Sequence, residues 1–464
     1  MLPLGGCLLS GEKPDPGLDI PLAYELGPKN PALAEAALPT LDWWRGFRSK
    51  ELTELIEEAR AANLDIAAAV AQIVQADAQS RVAGAPLLPG VTLNSDATHA
   101  RSSQSLSGGS GGGSEHNLLS ASLTASYEID FWGKNRAALR AAEESAVASR
   151  YNREVVSLTT VVSVANTYFQ MLAAQDRLRI ARENVASATR ILNLIKQQFS
   201  AGTASDLNVA QQESLVNSQR ASVPPLVQTL RQNQAALALL IARPPERVVI
   251  RGGSMRGIAI PRVTPGLPSE LLAQRPDIRQ AEANLAAANA NVYNARAQLL
   301  PSITLTGEGG YQSAVLKTLL RPESAFYTLT AGLTQPIFEG GKLLGNLDLQ
   351  KGIQDQLLQN YRKAVISAFT DVDKALIAVR ETTLAERLQR DVVSSSRRAF
   401  NLSDQQLRAG TVSLVTLLQV EQTLFQAEDA LAQARLARLQ AIISLYQALG
   451  GGWLPKPLET TDAR

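Results

Sequence analysis

Apolar positions recur along this chain with two periods, and the periods alternate in a fixed order. From Ser49 to about Arg81, Leu52, Leu55, Ile56 and Ala59 have helical spacing, and the Pro86 to Pro89 region ends the pattern. Val91 to Arg101 and Leu118 to Ile129 then predict strands, with Leu119, Ala121, Leu123 and Ala125 alternating against Ser120, Ser122 and Thr124. Between them Ser107-Gly108-Gly109-Ser110-Gly111-Gly112-Gly113-Ser114 has the composition of a flexible loop. A helical pattern then runs from Gly133-Lys134 to about Ser200.

The same order appears twice. Asn193-Leu194 through Ser205 aligns with Asn401-Leu402 through Ser413 at an offset of 208, and Gln211 and Glu213 keep register with Gln419 and Glu421. Leu87 to Leu93 aligns with Leu299 to Leu305 at an offset of 212. The second copy predicts strands at about 302–311 and 325–337 and a long helix at about 340–408. The expected organisation is an N-terminal segment 1–40, repeat 1 at 41–242, a linker at 243–268, repeat 2 at 269–450 and a tail at 451–464. In repeat 1 the strands fall at about 91–101 and 118–130, the long helix at about 133–200 and the hairpin turn at 201–205; in repeat 2 the turn is 409–413.

Each long helix covers about 68 residues, or about 100 Å at the α-helical rise. No proline lies from Gly90 through Val223 or from Ile337 through Leu454, so nothing forces a break. Rods of that length need partners along their whole extent, as in coiled coils. Gly202 and Gly410 fit left-handed helix ends, and Ser205 and Ser413 fit the caps of returning helices, so both rods turn back as hairpins. Pro224-Pro225 should kink or interrupt the first return. Four strands are too few for a closed barrel, which needs about eight, so several chains have to share one. Three copies give an even, pseudo-six-fold ring of twelve strands.

Composition narrows the chemistry. The 45 basic and 43 acidic residues nearly cancel and no basic tract interleaves with aromatics, which excludes a nucleic-acid partner. No uninterrupted apolar run reaches about 18 residues, so no transmembrane helix is expected. The single cysteine, Cys7, excludes an intramolecular disulfide; Leu4-Gly5-Gly6-Cys7 has a lipobox-like pattern, against the reading of an incidental small residue. Gly108-Gly109-Ser110-Gly111-Gly112 has nucleophile-elbow spacing without the strand and helix that would strain the serine, so no catalytic residue is expected. His99 and His116 lack acidic or cysteine company, and Met1, Met171 and Met255 are scattered, so no metal or cofactor is expected.

Several segments together resemble the TolC/OprM outer-membrane efflux proteins, and among them the NodT-like lipoproteins. They are Asp42-Trp43-Trp44 with Phe47, Leu52 and Leu55; Asn63-Leu64-Asp65-Ile66; Leu271 to Glu282, continuing to Leu300-Pro301-Ser302-Ile303; Gln335 to Gly341; and Ala448-Leu449-Gly450-Gly451-Gly452-Trp453. The resemblance implies an α+β fold, with long helices in a trimeric α-helical coiled-coil barrel and four strands per subunit in a shared 12-stranded transmembrane β-barrel. It implies an exit duct of a tripartite pump in the Gram-negative outer membrane, working with a periplasmic adaptor (membrane fusion protein) and an inner-membrane RND-type pump. It favours lipidation of Cys7, with outer-membrane lipid as a partner. A duct for type I protein secretion and a non-transporting coiled-coil scaffold are the alternatives.

In that family acidic residues just beyond the hairpin turns often ring the lumen. The corresponding positions here are Asn208 in the first hairpin and Thr416 and Gln419 in the second, none acidic. Amide and hydroxyl groups close a pore through hydrogen bonds and packing, which implies weak cation selectivity and little pH gating. Asp206 is either a substitute gate charge or a helix N-terminal carboxylate, the second slightly favoured. Arg408 either reaches a neighbouring helix across the tip or simply complements a helix C-terminus.

Overall fold

The computed structural model describes residues 17–18, 24, 40–101, 115–248, 250–263 and 268–453. Cys7 and the glycine-serine loop with Ser110 lie outside the described residues. The chain divides into two compact units. One holds the described residues of Gln72–Arg150 and Gln280–Arg362, and the other those of Leu18–Ala71, Tyr151–Arg279 and Lys363–Arg464.

The first unit is organised by a four-stranded antiparallel sheet: β1 (Gly90–Arg101), β2 (Glu115–Ile129), β3 (Ser302–Ser313) and β4 (Ala325–Thr334), in the order β1-β2-β3-β4. Directly opposed residues share a face, so the register sorts the side chains. One face carries the rows Val91, Ala125, Gly307, Leu329 and Leu93, Leu123, Gly309, Tyr327, with Tyr127, Leu305 and Ala331 beside them. The other carries Thr92, Thr124, Glu308, Thr328 and Gly90, Ser126, Thr306, Thr330. Ser122 Oγ donates to Glu308 Oε1 at 2.8 Å across the polar face. Apolar side chains on the first face are open: Leu329 is 80% exposed and Tyr327 82%. β1 and β4 are the edges among the described residues.

Two strand ends differ by three residues from the sequence expectation. β2 begins at Glu115, three residues earlier, where Glu115 pairs with Arg101. β4 stops at Thr334 instead of 337. Pro336 has no N–H to give a ladder, and Gln335 Nε2 turns to Leu299 O (3.2 Å) and Pro336 O (3.0 Å).

The helices are α1 (Lys50–Ala62), α2 (Leu64–Gly84), α3 (Lys134–Ser200), α4 (Asp206–Ala221), α5 (Val223–Leu240), α6 (Pro268–Gln274), α7 (Pro276–Ala297), α8 (Lys342–Arg408) and α9 (Leu414–Ala448). Both α3 and α8 are 67 residues long. The single helix expected from Ser49 to Arg81 is two, broken at Asn63. Its Oδ1 accepts from the backbone of Asp65 (2.9 Å) and Ile66 (3.1 Å) while Nδ2 donates to Leu240 O (2.9 Å), so the side chain caps α2 and ties it to α5. The expected interruption of the first return falls at Ser222, and Pro224 and Pro225 occupy the first turn of α5, where no N–H is needed.

The second unit has an aromatic core. Trp43 stacks on Tyr446 at 4.6 Å, and Phe47 meets Phe169 edge-on at 5.0 Å. Leu52, Ile56, Val164, Leu172, Leu439 and Ile443 close around them, all fully or almost fully buried. Contrary to the expectation drawn from uninterrupted apolar runs, α3 contains a stretch long and apolar enough to cross a membrane by composition alone. Half of that stretch is buried inside the chain, and α3 gives Val161, Val164, Ala165, Phe169 and Leu172 to the aromatic core. The linker is strapped on by polar contacts: Asp176 accepts from Met255 N (2.9 Å) and Ser254 Oγ (3.0 Å), and Arg435 Nε donates to Met255 O (2.9 Å). The Leu-Gly-Gly-Gly-Trp segment closes the unit: Gly450 has φ +79°, and a Cβ there would lie 2.3 Å from Gln274 O.

Candidate functional site

The two hairpin tips are built alike. At the first, Gly202 N donates to Phe199 O (2.9 Å) and Thr203 N to Gln198 O (2.9 Å); at the second, Gly410 N donates to Leu407 O (3.0 Å) and Thr411 N to Gln406 O (2.9 Å). Both are Schellman turns, with the glycines at φ +80° and +72°. Ser205 Oγ then caps α4 through Asn208 N, and Ser413 Oγ caps α9 through Thr416 N, each at 3.3 Å.

Below the turns the hairpins share one apolar cluster. Ile191 and Ile195 of α3, Leu407 of α8 and Leu414 and Leu417 of α9 are buried together, with Val209 of α4 against them. Next along come Ala188 and Leu192 of α3, Val216 of α4 and Phe425 of α9. Side chains three and four residues apart lie on one helix face, so Leu414, Leu417, Glu421 and Phe425 form a single stripe.

The sequence-derived gate candidates sit at this end of the second unit. Asn208 is half-buried; Asp206, Thr416, Gln419 and Arg408 are exposed. Asp206 occupies the first turn of α4, where a carboxylate complements the helix dipole. Arg408 Nε donates to Asp404 Oδ2 at 3.1 Å on its own helix rather than reaching across the tip. Thr416 Oγ1 lies 3.0 Å from Ser413 Oγ, and Gln419 O accepts from Thr423 Oγ1 at 2.8 Å.

Glu421 is the residue that motif reading passed over. It is fully buried, and no hydrogen bond of good geometry reaches either carboxyl oxygen, with Ser187 and Gln212 the polar side chains beside it. Burial raises its pKa; Ser187, Gln212 and Arg190 oppose the shift, Asp404 adds to it, and the group is pushed up to about 7. Gln212, also fully buried, donates Nε2 to Ala188 O (2.9 Å) and leaves Oε1 unsatisfied. The signal available in the sequence is a glutamate at an apolar-stripe position.

Farther along α8 and α9, Glu386 is 1% exposed and accepts from Arg435 Nη1 (3.3 Å), Arg438 Nη1 (2.9 Å) and Arg390. Burial alone raises its pKa, but hydrogen bonds from Arg438 and Arg390 and the charges of Arg390 and Arg435 bring it below its ordinary value. Among the described residues, no group of three or more His, Cys, Asp or Glu side chains is gathered as metal ligands. His99 instead contacts Asn117 across β1 and β2, Nδ1 to Oδ1 at 2.6 Å.

A two-faced antiparallel sheet with paired long-helix hairpins is the architecture of outer-membrane efflux channels, and sequence comparison agrees. The profile of the outer membrane efflux protein family matches residues 55–243 and 267–451, so the chain belongs to that family. It is 42% identical over 462 residues to the pyoverdine export outer membrane protein OpmQ of Pseudomonas putida, covering 98% of this chain and 97% of that one. The OpmQ of Pseudomonas aeruginosa is 40% identical over 419 residues, 89% of this chain and 87% of its own. The crystal structure of the Campylobacter jejuni CmeC outer membrane channel superposes with a TM-score of 0.89 at 26% identity, covering 97% of this chain and 96% of that one. The chain is therefore an outer-membrane efflux protein, and its relatives are channel proteins rather than enzymes.

Glu386→Gln tests the arginine cluster. A carboxyl whose folded pKa is depressed adds stability above its ordinary value of 4.5 and loses it as pH falls through the folded value. The variant should be less stable near neutral pH, by on the order of 2 kcal/mol. The deficit should shrink in acid, as read by thermal unfolding at several pH values; a deficit independent of pH contradicts this assignment.

Proposed function

We propose that three copies of this chain form one passive exit duct, with the strands closing a twelve-stranded outer-membrane barrel and the helices continuing as a periplasmic tube. The observation that carries this reading is the sorted sheet: an open apolar face, a threonine-rich polar face and two free edges among the described residues. In a bilayer every backbone hydrogen bond has to be satisfied, which a sheet achieves only by closing on itself. The apolar face then meets lipid and the polar face lines the lumen. Acylation of Cys7 anchors each subunit to the outer membrane. The duct docks on a periplasmic adaptor and an inner-membrane RND-type pump, which supplies the energy and selects the cargo. The likeness to two pyoverdine export proteins supports pyoverdine, or a compound like it, among the molecules expelled.

The narrowest point is where the hairpin tips converge, ringed by Asn208, Thr416 and Gln419. These groups carry no charge, so the constriction selects weakly between cations and anions.

Two substitutions in neighbouring residues of β4 test the barrel. Leu329→Arg should cost about 2 kcal/mol or more of membrane stability and reduce the amount of folded protein in the outer membrane, whereas Thr328→Arg should assemble normally. Equal tolerance of both would remove the lipid-facing assignment. For the gate, Gln419→Asp should raise cation over anion selectivity in planar bilayers, because a ring of carboxylates concentrates cations. Unchanged selectivity in a conducting assembly would move the constriction elsewhere.

A further inference from the structure

The duplication allows a direct comparison of two equivalent carboxylates, and they have opposite surroundings. In repeat 1, Glu213 pairs with Lys196 at 2.7 Å, both about half exposed. In repeat 2 the same offset of 208 puts Glu421 in place of Glu213 and Asp404 in place of Lys196. The counter-ion has become an acid, and Asp404 is itself engaged by Arg408 at 3.1 Å. Glu421 has meanwhile moved into the apolar stripe of α9, between Leu417 and Phe425, against the first hairpin.

A buried carboxylate without a hydrogen bond is among the most unfavourable groups a core can hold, whereas a buried carboxylic acid is a neutral side chain with one proton to donate. Gln212, on the opposite hairpin, lies beside it: its amide N–H favours the ionised form, as does Ser187, while its unsatisfied Oε1 can accept from the protonated one. The charged groups facing Glu421 do little for its ionised form. From α3 comes Arg190, exposed to solvent; from α8 comes Asp404, which repels; and the acid and base nearby on α4 and α3, Glu213 and Lys196, are occupied with each other. On α9 itself, the next charged side chain toward the C-terminus is Glu428, bound to Arg397.

We infer that Glu421 is a proton-operated latch between the two hairpins of one chain: protonated, it lets them pack together, and ionised, it favours their separation toward water. This rests on the hairpin tips being the gate. The sign follows from the raised pKa. The packed arrangement is at full strength below the ordinary carboxyl value of 4.5 and is lost as pH rises through about 7. Acid therefore holds the tips closed and neutral to alkaline conditions loosen them. The lumen-facing positions Asn208, Thr416 and Gln419 take no part, because none of them titrates in this range.

Spin labels at Ala201→Cys and Ala409→Cys, both exposed turn positions, in full-length protein whose Cys7 thiol is blocked by acylation, report the distance between tips after reconstitution in lipid vesicles. The ratio of separated to packed hairpins should rise by up to about tenfold per pH unit toward neutrality and level off above it. Glu421→Gln should remain packed throughout. Asp404→Lys, which restores the charge that Lys196 supplies in repeat 1, should lose most of the transition, and Glu213→Gln should keep it. A pH transition that survives in Glu421→Gln, or its absence from the unsubstituted tips between about pH 5 and about pH 9, overturns the latch. Conductance of the same preparation separates the two claims. Conducting assemblies without the transition sink the latch and spare the duct; tips that respond to pH in assemblies that never conduct support the latch and sink the duct.

Discussion

An α-helix of 67 residues is stable in water only if its apolar stripe is covered along its length, and two such helices set the terms for the rest of this chain. Each turns back through a Schellman motif and a serine cap, so the nearest cover for a long helix is its own return. The hairpins then cover each other: Ile191, Ile195, Leu407, Leu414 and Leu417 come from both repeats. Exposed apolar residues left along α8, among them Leu349, Ile366, Ile377, Leu384 and Leu388, extend the same demand beyond one chain. The sheet makes that demand through its open edges, and a shared tube meets both.

Duplication supplies the symmetry of such a tube, and the two repeats have diverged beneath their turns. The turns stayed nearly identical in backbone geometry because a left-handed glycine and a capping serine are the cheapest way to reverse a helix. The stripes beneath them did not. One repeat retains a solvated ion pair, and the other buries an acid beside Gln212 and Ser187 with no basic partner at its side.

The sequence made the long helices, turns and strand pairs legible because each depends on local signals: an absence of proline, a glycine followed by a serine three residues later, a period of two. Details decided by tertiary contact were hidden. Asn63 reads as an ordinary polar residue on a helix until Leu240 O is seen to accept its amide. The end of β4 at Thr334 was marked by Pro336, but the apolar Ile337 and Phe338 masked it; both are almost fully exposed in the single chain. Register aligns Glu421 with Glu213, but register alone does not tell which side of a helix is covered. Arg408 could have reached across the tip by its position alone, yet its partner is Asp404, one turn back on the same helix.

The most direct test of the account is electron cryo-microscopy of the purified full-length protein in lipid nanodiscs. The account predicts a three-fold particle with a closed twelve-stranded barrel, its apolar face toward lipid, continuous with a hollow helical tube about 100 Å long that narrows at Gly202 and Gly410. A monomer, a different symmetry or a solid helical rod would contradict it.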